Sequence, residues 1–248
     1  MSGAFAGARG ASKIVFVRHG QTDFNVQRRF QGIIDHPLND HGREQARRAG
    51  EVLARRIASP SAQVGMNVGA AVSGVARIIC SPLSRAHETA RILAAAFGAE
   101  GVKAGEPKVD ERLIERCYGL FEGLTVDEAI ARHEGEVAQW RATGECEAAG
   151  VEASDRVGRR IMDAALDAAA SAPEGSTLVV VSHGAAISRG LITFMGLNPL
   201  SFDALRGLDN CHWSELACVG GGGSGASGAP AWRLTSHNVG YREDVLGA

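Results

Sequence analysis

Two histidines and two arginines follow short apolar runs in this sequence, and these residue types suit chemistry on an anion. Arg18-His19-Gly20 follows the first run, Ser81-Pro82-Leu83-Ser84-Arg85 begins where the second ends, and His183-Gly184 follows the third. Arginine binds phosphate in a bidentate way and stays charged at any working pH. A histidine among cations loses its proton readily and becomes a neutral nucleophile. The set points to phosphoryl transfer, which needs positioned positive groups.

A departing alkoxide needs a proton, and Glu115 is the residue that we expect to donate it. It lies in the loop-like segment D-E-R-L-I-E-R-C-Y-G-L-F-E-G-L, in which Glu111 and Glu122 are the alternatives. Burial and the negative charge of a bound phosphate both favour the protonated form of a carboxyl group. These two effects make Glu115 the candidate general acid.

The three apolar runs predict the strands that position this chemistry. They are Lys13–Val17, Ala76–Cys80 and Thr177–Ser182, and continuous apolar runs of this length are typical of a central parallel sheet. The carboxyl ends of parallel strands meet at one edge of such a sheet, where helix N-termini favour anions. Glycine after each histidine permits a tight turn and close backbone approach. We therefore expect both histidines and both arginines at one site.

Helical patterns follow the strands. They predict helices from Asn39 or Asp40 to about Ala58, from Ser81 to about Phe97, from Asp155 to about Ser171 and from Ala185 to about Met195. In the second of these, Ser81 is the expected N-cap and Pro82 the first helical residue. Alternating strands and helices predict an α/β fold, a three-layer α/β/α sandwich around a mostly parallel sheet.

One domain from residue 13 to residue 248 is the expected organisation, preceded by a flexible N-terminus over 1–12. Residues 59–74 have the small, polar composition of a surface loop, and 220–230 (GGGGSGASGAP) that of a flexible linker. This linker separates two predicted late strands, His212–Val219 and Ala231–His237.

Composition excludes several function classes. Lys and Arg total 26 against 28 Asp and Glu, a formal charge of −2, so no global basic field would hold nucleic acid or an anionic membrane. No stretch approaches the roughly 18 apolar residues that cross a bilayer. Five widely spaced cysteines without a C-x-x-C motif indicate neither a disulfide framework nor a zinc site. We expect a cytoplasmic protein.

Five stretches together resemble the histidine phosphatase superfamily, which contains cofactor-dependent phosphoglycerate mutases and many phosphatases. They are V-R-H-G-Q-T-D-F-N, F-Q-G-I-I-D-H-P-L-N-D-H-G-R-E-Q-A, C-S-P-L-S-R-A-H-E-T-A, the Glu115 segment and V-S-H-G. They occur in the family's order from about Lys13 to Gly190, most of the chain. The resemblance implies a phosphoglycerate mutase-like fold and a small phosphorylated metabolite as ligand.

The resemblance also assigns roles to residues. It implies that His19 becomes phosphohistidine, that Arg18, Arg85 and His183 complete the phosphate pocket, and that Glu115 is the proton donor. Further substrate-binding positions by the same resemblance are Asn25, Gln31, Tyr118 and Gly184, although local turn bonding is an alternative role for Asn25 and Gln31. No metal and no cofactor are implied, because the arginines and His183 would supply the positive charge. Family members are often homodimers.

Within the family, the sequence favours a phosphatase over a mutase. Mutases carry a longer insert after the Glu115 segment, with a lysine and an adjacent arginine pair that grip the substrate. Residues 126–150 contain no lysine here, and Arg132 and Arg141 are their only arginines. L-D-N-C-H-W-S-E-L, W-R-L-T-S-H-N and Y-R-E-D-V-L resemble the C-terminal region of glucosyl-3-phosphoglycerate phosphatases. A phosphoglycerate mutase and a non-catalytic relative that binds phosphorylated ligands remain the alternatives.

Overall fold

Six strands form one sheet in the computed structural model, which describes residues 10–59, 74–219 and 231–241. The strands are β1 (Lys13–Arg18), β2 (Ala76–Cys80), β3 (Lys108–Val109), β4 (Thr177–Ser182), β5 (Trp213–Val219) and β6 (Ala231–Val239). Their order is β3-β2-β4-β1-β5-β6. The pairs β1–β4, β2–β4 and β2–β3 are parallel, whereas β5 is antiparallel to β1 and to β6. The predicted mostly parallel sheet is confirmed.

Six α-helices lie within the described ranges. They are α1 (Asp23–Val26), α2 (Asp40–Ala58), α3 (Ser84–Ala99), α4 (Val126–Thr143), α5 (Ser154–Ala170) and α6 (Gly184–Phe194). Of these, α2, α3, α5 and α6 cover the two faces of this sheet. Val15 and Val17 of β1 pack in the core beneath α2 and α3, whereas Ile14 and Phe16 pack in the core beneath α5 and α6. Successive strand residues point to opposite faces, so a strand covered on both sides must be apolar throughout. The three-layer α/β/α sandwich is thereby confirmed.

Helix α2 begins and packs as its sequence predicts. The Asn39 side chain caps it by accepting a hydrogen bond from the Gly42 backbone N–H at 2.8 Å. Its buried face carries apolar residues at helical spacing, among them Ala46, Leu53 and Ile57. The helix directs its N-terminus toward the end of β1, because the Gly42 carbonyl lies against the backbone of Gly20.

Helix α3 begins at Ser84, so the prediction of Ser81 as N-cap and Pro82 as the first helical residue is wrong. Leu83 is the N-cap residue and makes no side-chain capping bond. The cap comes from elsewhere in the chain, because the Asp35 carboxylate accepts hydrogen bonds from the Ser84 N–H at 2.8 Å and from its hydroxyl at 2.7 Å. The Ser81 hydroxyl instead contacts His183.

Helix α4 was not predicted, and it covers a third hydrophobic cluster. Its start is a capping box between Thr125 and Glu128. Only Ala129 and Val137 of the helix are buried, so its apolar periodicity is weak. The cluster beneath it lies outside the two sheet cores and consists of Phe121, Ala129, Val137, Cys146, Ala149 and Val151, with Phe30, Tyr118, Leu124, Ile130 and Trp140 packed against them.

Several predicted flexible segments fall on residues that the structure does not describe: 1–9 of the N-terminus, 60–73 of the surface loop and the linker 220–230. At the end of the N-terminal segment, Ala11 and Ser12 donate backbone hydrogen bonds to Ala169 and Ser176. Within the described ranges, no helix has both the length and the apolarity that crossing a membrane requires.

Candidate active site

The ends of three adjacent strands bring the predicted residues together. His19 follows β1, His183 follows β4, and Arg85 lies in the first turn of α3 just after β2. Because β4 lies between β1 and β2 and all three are parallel, these ends share one edge of the sheet. The rings of His19 and His183 have centroids 5.1 Å apart. The predicted convergence of the two histidines is therefore observed.

His19 presents one nitrogen to the site and uses the other for anchoring. Its Nδ1 lies 2.7 Å from the Gly20 carbonyl oxygen. A carbonyl only accepts, so Nδ1 carries the proton of a neutral ring and Nε2 carries the lone pair. Burial, with the nearby charges of Arg85 and Arg18, holds the pKa of His19 well below its usual value of 6.5. The ring is therefore neutral at physiological pH, as a nitrogen nucleophile must be.

Glycine at position 20 is required by a close backbone approach. A Cβ atom at Gly20 would lie 2.3 Å from the Gly42 carbonyl oxygen, which no side chain tolerates. Position 184 differs, since a Cβ there would meet the Arg18 Nε at 3.5 Å, an ordinary contact distance. The expectation of close backbone approach thus holds after His19 and is wrong after His183. A side chain at position 184 would pack directly against the Arg18 guanidinium.

Two guanidinium groups flank the histidines, Arg85 fully buried and Arg18 partly buried. Arg85 donates to the carbonyl oxygens of Ile34 and Gly32, both at 2.8 Å. Arg18 donates to the Leu208 carbonyl at 2.6 Å. Burial lowers the pKa of both groups, and neither makes an ion pair with a described carboxylate. Each is thus a positive charge held by neutral backbone acceptors.

Buried nitrogen atoms without a hydrogen-bond partner are concentrated among the residues of this site. Among the described residues, four buried side-chain polar atoms lack a hydrogen-bond partner, and three of them are Arg18 Nε, Arg85 Nε and His183 Nδ1. Buried polar groups are normally paired, so each exception needs an explanation. An anion with several acceptor oxygens supplies the kind of partner that these three nitrogens lack.

His183 is a neutral member of the site. Burial, Arg85 and His19 hold the pKa of its imidazole well below 6.5. The expectation that His183 adds positive charge is wrong for the site without an anion, because the two arginines and low solvent access disfavour a third cation. The ring therefore contributes as a hydrogen-bonding group.

Glu115 lies at the N-terminus of α6, beside His183. Its carboxylate accepts hydrogen bonds from the backbone N–H groups of Arg116 and Ala186, both at 2.8 Å, and of Ala185 at 3.2 Å. Arg160 fixes the segment by donating to the carbonyl oxygens of Ile114 at 2.6 Å and of Glu115 at 3.1 Å. The carboxylate is thus buried, positioned and close enough to Arg18 and Arg85 for their charges to interact.

The two alternative acids lie in different surroundings. Glu111 is exposed. Glu122 accepts backbone hydrogen bonds from Tyr118 at 2.9 Å and from Ile33 at 3.1 Å, and so joins two loops. Its role in this structure is a crosslink beside the site. The geometry favours Glu115 over both as the acid.

Asn25 and Gln31 meet in a network around Thr22. The Thr22 hydroxyl donates to Gln31 Oε1 at 2.9 Å and accepts from the Asn25 backbone N–H at 3.2 Å. Asn25 Oδ1 also accepts from Asn210 Nδ2, which in turn donates to the His19 carbonyl at 3.0 Å. Local turn bonding therefore engages the oxygen atoms of both side chains and supports the backbone of His19.

Tyr118 joins the site to the third hydrophobic cluster. Its ring lies 5.0 Å from the Phe30 ring and 5.7 Å from the Trp140 ring, and the Arg116 guanidinium stacks on it at 5.8 Å. Burial and the Glu115 carboxylate raise the pKa of its phenol. The hydroxyl therefore stays protonated and is near enough to Glu115 to interact electrostatically with it.

Sequence reasoning missed several supporting residues. Thr89 accepts from the Gly20 N–H at 3.1 Å and donates to the Arg85 carbonyl at 2.7 Å, and Ser81 contacts His183 Nε2 at 2.8 Å. Thr89 lies four residues after Arg85 on one helix face, a local signal that was available. No group of three or more His, Cys, Asp or Glu side chains within the described ranges is arranged to hold a metal ion.

Comparisons with known proteins match most of the chain. The family model described as histidine phosphatase superfamily (branch 1) matches residues 14–64 and 66–226. A solved mycobacterial glucosyl-3-phosphoglycerate phosphatase in complex with VO3 is 33% identical with a TM-score of 0.70, over 92% of this chain and 99% of that one. The probable phosphoglycerate mutase GpmB of Yersinia pestis (strain Pestoides F) is 34% identical to this chain, and the GpmB of Serratia proteamaculans (strain 568) is 32% identical. Each match covers 82% of this chain and 84% of the relative.

Proposed function

This chain belongs to the histidine phosphatase superfamily, and from that membership and the site geometry we propose that it hydrolyses phosphate monoesters through a phosphohistidine formed at His19. The observation that carries the proposal is the set of unpartnered nitrogens Arg18 Nε, Arg85 Nε and His183 Nδ1 around a neutral imidazole. A phosphoryl group needs several donors at its oxygens and one nucleophile at phosphorus. The three unpartnered nitrogens are the candidate donors, and His19 is the candidate nucleophile.

In the first step, the lone pair of His19 Nε2 attacks phosphorus while the bond from phosphorus to the ester oxygen breaks. The Nδ1–H bond to the Gly20 carbonyl stabilises the positive charge that develops on the ring. Arg18, Arg85 and His183 donate to the phosphoryl oxygens. Glu115 gives a proton to the leaving oxygen, which departs as an alcohol.

In the second step, water replaces the leaving group and attacks the phosphohistidine. The Glu115 carboxylate takes a proton from that water, the bond between phosphorus and Nε2 breaks, and inorganic phosphate forms. His19 returns to its neutral state with the proton still on Nδ1. The residues of this chain thus supply the nucleophile, the acid, the base and the oxygen-binding groups.

The substrate that we propose is a small phosphorylated metabolite, with glucosyl-3-phosphoglycerate preferred. The name of the 33% identical mycobacterial phosphatase supports that preference. Arg132 and Arg141 are the only arginines of residues 126–150, and both are exposed on α4. This segment therefore offers no buried cation for a second phosphate, such as a mutase would bind. Tyr118, Gly184, Asn25 and Gln31 are the proposed further contacts to substrate.

The names of the curated relatives favour a second candidate function, a phosphoglycerate mutase. A mutase would return the phosphoryl group from His19 to a hydroxyl of bound phosphoglycerate instead of to water. Assaying conversion of 3-phosphoglycerate to 2-phosphoglycerate alongside phosphate release separates the two. Mutase turnover that exceeds phosphate release would replace our proposal.

Hydrolysis of p-nitrophenyl phosphate in the presence of EDTA tests the proposal, followed by a panel of phosphorylated metabolites. We expect wild-type turnover with EDTA, its loss in His19→Ala, and its retention in His41→Ala, which changes an exposed histidine of α2. Undiminished activity of His19→Ala would end the nucleophile assignment. Calorimetric binding of phosphate without turnover of any substrate would favour a binding protein.

A further inference from the structure

The Ser81 hydroxyl lies behind the phosphate pocket, at the end of β2. Its Oγ is 2.8 Å from His183 Nε2, and both residues are fully buried. The other ring nitrogen of His183, Nδ1, is one of the unpartnered atoms of the pocket. The two nitrogens thus have different surroundings, and which of them carries the proton decides what His183 offers to an anion.

The hydrogen bonds of Ser81 favour one of the two neutral forms. Its Oγ accepts from the Leu83 backbone N–H at 3.3 Å, and its own proton is free to point at His183 Nε2. In that arrangement Nε2 accepts and Nδ1 carries the ring proton. The opposite tautomer would donate from Nε2 to Oγ, which leaves the hydroxyl proton without an acceptor among the described residues and turns a lone pair toward the anion.

Only the first form assists catalysis. Phosphoryl oxygens accept hydrogen bonds, so His183 binds them through an Nδ1–H and repels them through an Nδ1 lone pair. We propose that Ser81 is a positioning residue that holds the Nδ1-protonated tautomer of His183. The inference rests on the proposed function in that the anion it serves is phosphoryl.

Nitrogen-15 NMR of the wild-type protein tests the tautomer directly, with the His183 signals assigned by comparison with His183→Gln. We expect Nδ1 to show the shift of a protonated nitrogen and Nε2 that of an acceptor. A neutral ring protonated at Nε2 would overturn the proposal. This measurement needs no turnover, so its result is independent of whether His19 is the nucleophile.

Substitution tests the consequence, with inorganic phosphate as the probe. In Ser81→Ala we expect phosphate to bind about tenfold more weakly, with a fall in kcat and a shift of the His183 signals toward the Nε2-protonated form. Ser81→Thr keeps a hydroxyl and should recover part of both losses. Unchanged phosphate affinity and an unchanged tautomer in Ser81→Ala would contradict the proposal.

Ser214→Ala is the matched control. Ser214 is also fully buried, but it lies in β5, on the other side of β1 from β4, and its Oγ is 2.9 Å from a ring nitrogen of His237. We expect this variant to keep wild-type phosphate affinity and kcat. Equal losses in Ser81→Ala and Ser214→Ala would show a general effect of removing a buried Ser–His contact, which would overturn the specific role of Ser81.

Discussion

The two imidazoles of the site present different ring nitrogens to it, because their hydrogen-bond partners differ. A backbone carbonyl next to His19 requires a proton on Nδ1, which leaves the lone pair on Nε2, the proposed nucleophile. The hydroxyl of Ser81 beside His183 favours a lone pair on Nε2, which leaves Nδ1–H as a donor. Both rings are neutral because they are buried next to Arg85. At this scale, function depends on single atoms that a sequence motif does not specify.

Glu115→Gln should slow hydrolysis according to the leaving group. The amide cannot give up a proton as an acid does, so we expect a loss of about 10²- to 10⁴-fold for an alkyl phosphate, whose leaving oxygen must be protonated. For p-nitrophenyl phosphate, whose leaving group departs as a stable anion, phosphohistidine formation should change much less. Pre-steady-state kinetics on the two substrates measure this difference. Equal losses on both would argue that Glu115 acts in another way.

At the scale of elements, loops from distant parts of the chain hold Arg85, which we propose to bind phosphate. The carbonyl oxygens of Gly32 and Ile34 accept from Arg85, and Glu122 accepts from the Ile33 N–H between them. Gly32 has a φ of +52°, and a Cβ there would collide with the Glu122 carboxylate. Glu122 thus ties the loop that anchors Arg85 to the segment that carries Glu115.

Glu122→Ala should therefore weaken phosphate binding without removing any group that touches phosphate. Loss of two hydrogen bonds frees the Gly32–Ile34 loop, and we expect the inhibition constant of inorganic phosphate to rise several-fold, within about tenfold. Glu122→Gln keeps an acceptor oxygen and should retain most of the affinity. The exposed Glu111→Gln serves as the control. A phosphate inhibition constant in Glu122→Ala equal to that of the wild type would refute this role.

For the whole molecule, the neutral buried histidines predict how stability depends on pH. Unfolded histidines take up protons near pH 6.5, whereas His19 and His183 in the folded protein do so only at much lower pH. The unfolded state therefore binds more protons below pH 6.5, and folding stability falls as the pH decreases from about 7 to about 5. Thermal unfolding without phosphate measures the slope.

The double variant His19→Gln with His183→Gln should show a weaker pH dependence over the same window. His41→Gln, at an exposed position, should keep the wild-type slope. A wild-type melting temperature that stays constant or rises as the pH falls from 7 to 5 would contradict the assignment of two neutral buried rings.

Local patterns predicted the features of the molecule that are themselves local. Continuous apolar runs indicated the three central strands, and residues directly after them indicated the shared edge with His19 and His183. What could not be predicted depends on long-range contacts. Asp35 caps a helix 49 positions further on, and Ser81 contacts a histidine 102 positions away. Helix α4 was not predicted because only two of its residues are buried, which leaves little apolar periodicity in its sequence.

The central claim, covalent catalysis at His19, is tested most directly by trapping the phosphorylated enzyme. The protein is mixed with ³²P-labelled p-nitrophenyl phosphate, quenched in alkali, in which phosphohistidine survives, and digested for peptide mapping. We predict label on Nε2 of His19, formed in the first turnover and absent from His19→Ala. Label on another residue, or a full burst of p-nitrophenol without any protein-bound phosphate, would contradict the account.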